Sequence, residues 1–425
     1  MIDSTSGPDQ TSESDLFSSW SVPILAVLYL FILTSTKWPL GTDLIEAVFA
    51  VGPAKQITPV DLYLVVLGLF TAALMLHEKY DLTHALNGYT VFLFGYIAAL
   101  LLSSVSNGVF NIDAIKEILQ WIEMGVLMWA IIYWLRNQNQ FERLKIFILI
   151  IATIHALYLT GSWIYFGLPK TENARFFVQF TGFSFLIGMD LIWRKRRWRW
   201  FSSLLIFLFA IYIGDERKVY LALTLGVFIY FFIQLYRYQP RIQPFLRWTA
   251  IGILMISFLI PAAFLAFPYY CESQFDQFIH HYTGKGNANS RYYLMKTGFK
   301  IWNDHLFFGI GPNQFKNLSV EYGLGDQKSY LTADSGMHNM LFSYVLNTGL
   351  IGFIFLIGLL VQPLRFVKRS CTNWLHEEVL LAVLLCFVCS VLLFNSHEPF
   401  QRYLLFSTLG LAAAVQWNFP GTTRE

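Results

Sequence analysis

His338-Asn-Met-Leu-Phe-Ser-Tyr-Val-Leu-Asn-Thr-Gly349-Leu-Ile-Gly352-Phe-Ile-Phe-Leu-Ile-Gly-Leu-Leu-Val361 decides what kind of molecule this chain is. Past its first two residues it carries no charge, and it is long enough to cross a hydrocarbon core of about 30 Å, which takes about 17 to 25 mostly apolar residues. Upstream lies the polar stretch Pro268 to Met337. A histidine at this junction can reach an aqueous substrate on one side and a lipid carrier on the other. The rest of the chain repeats the apolar pattern. Hydrophobic residues make up 56% of the 425 positions and charged ones 13%, with a mean hydropathy of +0.50. A soluble domain is excluded, and an all-α polytopic membrane protein follows.

Twelve apolar runs are read as transmembrane helices: 21–36, 58–76, 88–106, 115–135, 146–167, 176–193, 199–213, 219–236, 248–267, 338–361, 377–395 and 402–417. The expected organisation is a disordered cytoplasmic tail over 1–20 and transmembrane helices one to nine over 21–267. A periplasmic catalytic loop with short amphipathic helices follows over 268–337, then helices ten to twelve over 338–417 and a cytoplasmic tail over 418–425. Lys and Arg fix the orientation, because positive residues in short loops stay cytoplasmic. Arg136, Arg143 and Lys145, the run Arg194 to Arg199, then Arg237, Arg241, Arg247, Arg365, Lys368 and Arg369 fall on one side. Only Lys37, Lys55, Lys170, Arg175, Arg217, Lys218 and Arg402 fall in the opposite short loops. Both termini are therefore expected in the cytoplasm and the long loop on the far side. The Arg194–Arg199 run, flanked by Trp193, Trp198 and Trp200, reads as a topological anchor. The first twenty residues have no positive n-region and do not look like a cleavable signal.

Cysteine and metal signals are poor. Cys271 has no local partner in the loop, and Cys386-Phe-Val-Cys389 lies in an apolar helix, where it reads as packing. His280-His281 would diverge on a helix, and no paired carboxylates occur in the loop. Neither a cofactor nor a metal is expected, and nucleic acid is not an expected partner.

Three far-side positions stand out. Arg217, in Gly214-Asp-Glu-Arg-Lys218, occupies a tight turn whose four charges are costly near a bilayer unless they pair or line a polar cavity. Arg291, in Asn289-Ser-Arg-Tyr292-Tyr, opens the amphipathic stretch Tyr292 to Trp302, expected to lie on the membrane surface with its apolar face down. His338 follows the flexible Asp334-Ser-Gly-Met. Lys116, Glu117, Gln120 and Glu123 form a polar stripe that either lines a substrate cavity or satisfies itself. Ser396-His-Glu-Pro399 with Arg402 forms the last far-side turn, where Glu398 is a candidate to orient Arg217 or His338. Tyr292, Tyr293, Tyr330 and Trp302 suit either sugar stacking or interface anchoring.

The array Ser290-Arg291, Trp302, Gly309-Ile-Gly311-Pro312-x-x-Phe315, His338-Asn339 and Gly349-x-x-Gly352 resembles the O-antigen ligase and polymerase superfamily. The motif resemblance covers roughly residues 210 to 355. It implies a membrane glycosyltransferase that moves a glycan from undecaprenyl diphosphate to an acceptor hydroxyl at the periplasmic face of the bacterial inner membrane. The family's essential histidine maps onto His338, and its two arginines map onto Arg291 and Arg217. The surroundings of Arg217 are more charged than the family pattern, and Lys218 is a possible substitute there. Asn339, Glu398, Tyr292 and Lys218 are the expected accessory substrate contacts.

The chemistry asks for the same residue types. A departing diphosphate needs charge neutralisation more than a proton, and arginine offers paired donors for phosphate oxygens. An acceptor hydroxyl needs a base, and a histidine with a pKa of about 6.5 suits neutral pH. Direct attack would invert the anomeric centre. A ligase would use lipid A-core oligosaccharide as acceptor, whereas a polymerase would use a second lipid-linked glycan. Chain length and the single mid-sized loop favour the ligase. A flippase or transporter of lipid-linked precursors is the reading from another class, and discontinuous helices would favour it.

Overall fold

The computed structural model describes residues 20–30, 59–78, 88–109, 112–166, 172–214, 217–238, 287–322, 339–364, 376–393 and 399–418. Every regular element among them is helical. In chain order these are α1 (Trp20–Leu30), α2 (Pro59–His77), α3 (Gly88–Ser106), α4 (Ile112–Trp134), α5 (Gln138–Phe166) and α6 (Glu172–Lys195). After a 3-10 turn at Trp198–Trp200 come α7 (Phe201–Gly214), α8 (Arg217–Tyr238), α9 (Asn287–Asp304), α10 (Phe315–Glu321), α11 (Met340–Val361), α12 (His376–Leu393) and α13 (Pro399–Asn418). Four stretches are long and apolar enough to cross a membrane: Gly88–Ser106, Gln138–Ile164, Lys218–Leu235 and Met340–Leu364. The expected run 248–267 lies outside the described residues, as do both expected tails apart from Trp20 and Asn418.

The chain divides into two compact units. The first comprises Met1–Ala85, Glu123–Leu223 and Arg402–Glu425. Small residues set its helix contacts: Gly188 of α6 lies under Leu204 and Leu149, Gly214 under Val178, and Gly410 of α13 against Ile131 and Met128 of α4. Asn418 at the end of α13 donates to the carbonyls of Ile132 and Leu135, at 2.8 and 2.7 Å, so α13 and α4 finish at the same level.

Charges expected in loops are buried inside this unit. Lys145 of α5, with 2% of its side chain exposed, reaches Glu142 at 2.7 Å and Asp190 of α6 at 3.1 Å. Arg194 also pairs with Glu142. Two cations and two carboxylates therefore neutralise one another, which is why α5 begins at Gln138, well before its apolar run. Arg194 is thus a half-buried, paired structural residue, whereas Trp193 and Trp198 beside it stay exposed as interfacial residues do. Arg402 also departs from expectation: it lies within α13 and is 2% exposed, buried with Gln401 rather than solvated in a turn.

The second unit comprises Leu86–Ile122 and Thr224–Gln401. Its centre is the packing of α11 on α3. Phe355 of α11 sits on Gly95 of α3, and Phe92 of α3 sits on Gly358 of α11, so each helix supplies a ring and a gap for the other. The aromatic residues Tyr96, Trp121 and Tyr344, all buried, cluster above them, with the Tyr96 and Trp121 rings 4.1 Å apart. Glu117 enters this cluster and accepts from the Trp121 indole N–H at 3.2 Å. Part of the polar stripe on α4 is thereby used in packing.

Candidate functional site

The expected uninterrupted helix over 338–361 is broken. Gly349 has φ 64° and ψ −158°, values that end one helical segment and start another. An intact helix would bond the N–H of Leu350 to the carbonyl of Leu346, and that of Ile351 to Asn347. Instead a turn after α9 inserts between them. Its carbonyls at Leu306 and Phe307 accept from Leu350 and Ile351 at 2.8 and 3.3 Å, while its N–H groups at Ile310 and Gly311 donate to Leu346 and Asn347 at 3.0 and 3.1 Å. Both ladder bonds lost at the break are replaced.

Side chains of α3 brace the same joint. Ser103 Oγ donates to the Asn347 carbonyl at 2.7 Å, Tyr96 Oη to that of Tyr344 at 3.1 Å, and Asn107 Nδ2 to that of Gly309 at 3.0 Å. Tyr96 and Ser103 share one face of α3 and Asn107, one residue past its end, continues it, through spacings of seven and four. Backbones touch here: a Cβ on Gly309 would come within 2.5 Å of Gly349 N and Leu346 O. That contact is the structural reason for Gly309 in the loop and Gly349 in the helix, whereas Gly311 is required by its φ of 87°.

The amphipathic helix is present as α9, but its apolar face does not rest on a lipid surface. Leu294 and Ile301 are buried with Ile310, Phe315 and Leu346 in one core. At its outer edge Phe299 lies against Phe342 of α11, ring centroids 4.6 Å apart, and Trp302 is 6.5 Å from the same ring. The helix carrying Arg291 is thus held against the first segment of α11. Phe307 and Phe308 in the joining turn are 61% and 42% exposed, as suits a turn set beside the middle of a membrane-length helix.

Asn339 is the N-cap of α11: its backbone is extended, φ −132° and ψ 102°, and its side-chain oxygen accepts from the Phe342 N–H at 2.9 Å. The capping role a histidine at this junction would otherwise fill is therefore taken by its neighbour. His338 and Glu398 themselves lie outside the described residues. Arg291 and Tyr292 belong to the first turns of α9 in the second unit. Arg217 opens α8, followed by half-buried Lys218, in the first unit. The structure brings the α9 segment together with the start of α11. Sequence reasoning missed the brace formed by Tyr96, Ser103 and Asn107, although the polar spacing in an apolar helix was a usable signal.

Residues 201–357 match the family model described as O-antigen ligase. This match supports the O-antigen ligase superfamily for that segment. The O-antigen ligase segment runs from α7 to the last turns of α11, so it contains Arg217, Arg291, the inserted turn and the break at Gly349. It supports a function of the O-antigen ligase or polymerase type, and its apolar helices are those of a membrane protein. No curated protein matches the chain.

Proposed function

We propose that the chain is an O-antigen ligase of the bacterial inner membrane, transferring a glycan from undecaprenyl diphosphate to a hydroxyl of lipid A-core oligosaccharide at the periplasmic face. The observation that carries this reading is the O-antigen ligase match over 201–357, in a segment whose polar loop helix packs against the start of α11. In this reading the acceptor hydroxyl attacks sugar C1 from the face opposite the leaving group. The new C1–O bond forms as the bond to diphosphate breaks, and configuration inverts. His338 takes the hydroxyl proton, a role worth about a hundredfold to ten-thousandfold. Arg291 and Arg217 neutralise the departing diphosphate, the kind of preorganised charge that supplies several kcal/mol, on the order of 3 per well-placed group. Lys218, Tyr292, Asn339 and Glu398 serve as accessory contacts to donor or acceptor. The reaction requires neither cofactor nor metal, and the chain spans the membrane about twelve times with both termini cytoplasmic.

The broken helix bears on the transport alternative, since transporters bind cargo at unwound backbone. At Gly349 the groups released by the break are taken by Leu306, Phe307, Ile310 and Gly311, so this discontinuity is a joint closed by protein rather than a cradle for cargo. The test is reconstitution of the full chain with lipid-linked glycan and either lipid A-core or a second lipid-linked glycan. Glycan-capped lipid A-core is the expected product, and His338→Ala should lower its rate by at least about a hundredfold. Products that grow only on the second lipid-linked glycan would make the chain a polymerase. Wild-type rates in His338→Ala would remove the base from the mechanism.

A further inference from the structure

Five cations in six residues, Arg194 to Arg199, fill the turn between α6 and α7, with Trp193, Trp198 and Trp200 beside and between them. The carboxylates that α5 and α6 bring to this end of the unit are already engaged: Glu142 holds Lys145 and Arg194, and Asp190 holds Lys145. Among the described residues, Arg196, Arg197 and Arg199 form no ion pair. Arg196 and Arg199 are exposed and Arg197 is half-buried, and the Arg199 guanidinium lies 5.7 Å from the centre of the Trp200 ring. The backbone here is held in a tight, unusual form. Arg196 takes a left-handed φ of 50°, which a side chain of this size rarely adopts, and the N–H groups of Trp198 and Trp200 donate to the carbonyls of Arg196 and Arg197 at 3.0 and 3.1 Å. Trp193 and Trp198 stay exposed on either side, as indoles do at the level of lipid headgroups. The turn is separate from the proposed diphosphate site, because Arg217 lies past the other end of α7, whose 14 residues rise about 21 Å.

We infer that the turn Arg196–Trp200 binds the headgroup of an anionic glycerophospholipid at the membrane surface. Guanidinium groups match phosphate oxygens with paired donors, and three of them without a protein carboxylate leave a local positive field that a phosphodiester neutralises. A lipid rather than a soluble anion fits the neighbours, because the turn joins two apolar helices and its exposed tryptophans present rings to the glycerol and upper acyl region. The inference concerns membrane lipid alone and stands apart from the proposed glycan transfer.

A fluorophore beside the turn tests this locally. Ser202 is exposed at the start of α7, and Ser202→Cys in the full chain, with its four native cysteines replaced, takes a bimane label. Quenching by spin-labelled phosphatidylglycerol and by spin-labelled phosphatidylcholine, in nanodiscs, gives the relative association constant of the two lipids at that position. Phosphatidylglycerol should be preferred at least about fivefold, the effect of about 1 kcal/mol from a single basic residue near the surface. Arg199→Gln should lower the preference about fivefold, Arg199→Lys should keep it because the charge remains, and Lys316→Gln on α10, which removes the same charge elsewhere, should leave it unchanged. Equal association of the two lipids with the parent chain overturns the inference. So does a preference that survives the combined Arg196→Gln, Arg197→Gln and Arg199→Gln substitutions in a chain that unfolds at the parent temperature. Release of the lipid by millimolar inorganic phosphate at constant ionic strength would make the turn a site for soluble phosphate and overturn the lipid assignment.

Discussion

Asn339 illustrates how one side chain changes the meaning of its neighbour. With its oxygen on the Phe342 N–H, it closes the start of α11 without help from residue 338. Histidine at a helix entrance most often caps or packs, and here the cap is already made. For Arg291 the residue-scale argument is about shape as well as charge. A guanidinium offers two parallel donors to phosphate oxygens, and an ammonium does not. Arg291→Lys is therefore expected to lower kcat/KM for glycan transfer at least about tenfold, consistent with loss of one charge-assisted hydrogen bond. Transfer kinetics with purified donor would measure it, and a wild-type value would remove paired recognition at this position.

At the scale of elements, the break in α11 and the turn that fills it behave as one part. A methyl group on Gly309 would meet the backbone at Gly349 and Leu346, and neither can yield without opening the joint. Gly309→Ala is expected to destabilise the second unit by at least about 2 kcal/mol, by strain at positive φ together with lost backbone hydrogen bonds. Thermal unfolding in detergent should report this, with Gly161→Ala as a control, since nothing lies near that glycine. The same joint marks where the sequence was least legible. Glycine is frequent in membrane helices, so nothing local at Gly349 or Gly352 announces that the backbone turns over at one of them. The ends of α3 and α8 were legible within a residue or two, because polar groups bound their apolar runs. The start of α5 was not, because Glu142 and Lys145 find partners on α6 and so need no solvent. In α9 the amphipathic pattern was read correctly but its partner was not. Periodicity tells which face is apolar, not whether lipid or Leu346 covers it.

For the whole molecule, sidedness is the property on which the proposed reaction depends, and it comes from the distribution of Lys and Arg. In a background lacking Cys271 and Cys371, Lys316→Cys on exposed α10 should react with a membrane-impermeant thiol reagent on the far side. Arg197→Cys should react only once the membrane is opened. The reverse pattern would place the loop helices in the cytoplasm and exclude a periplasmic reaction. Cys386 and Cys389 lie partly buried within α12 and are unbridged, so labelling should be judged against the parent chain.

The order in which the chain is made gives the joint in α11 another meaning. An open break in a helix cannot wait in hydrocarbon for partners, because each bare backbone group there is costly. Tyr96, Ser103, Asn107 and the turn from Leu306 to Gly311 all precede Gly349 in the sequence. During synthesis, every group that receives the broken segment has therefore left the ribosome before that segment enters the bilayer. A circular permutant that began at Asn339 would present the break first and its receivers last.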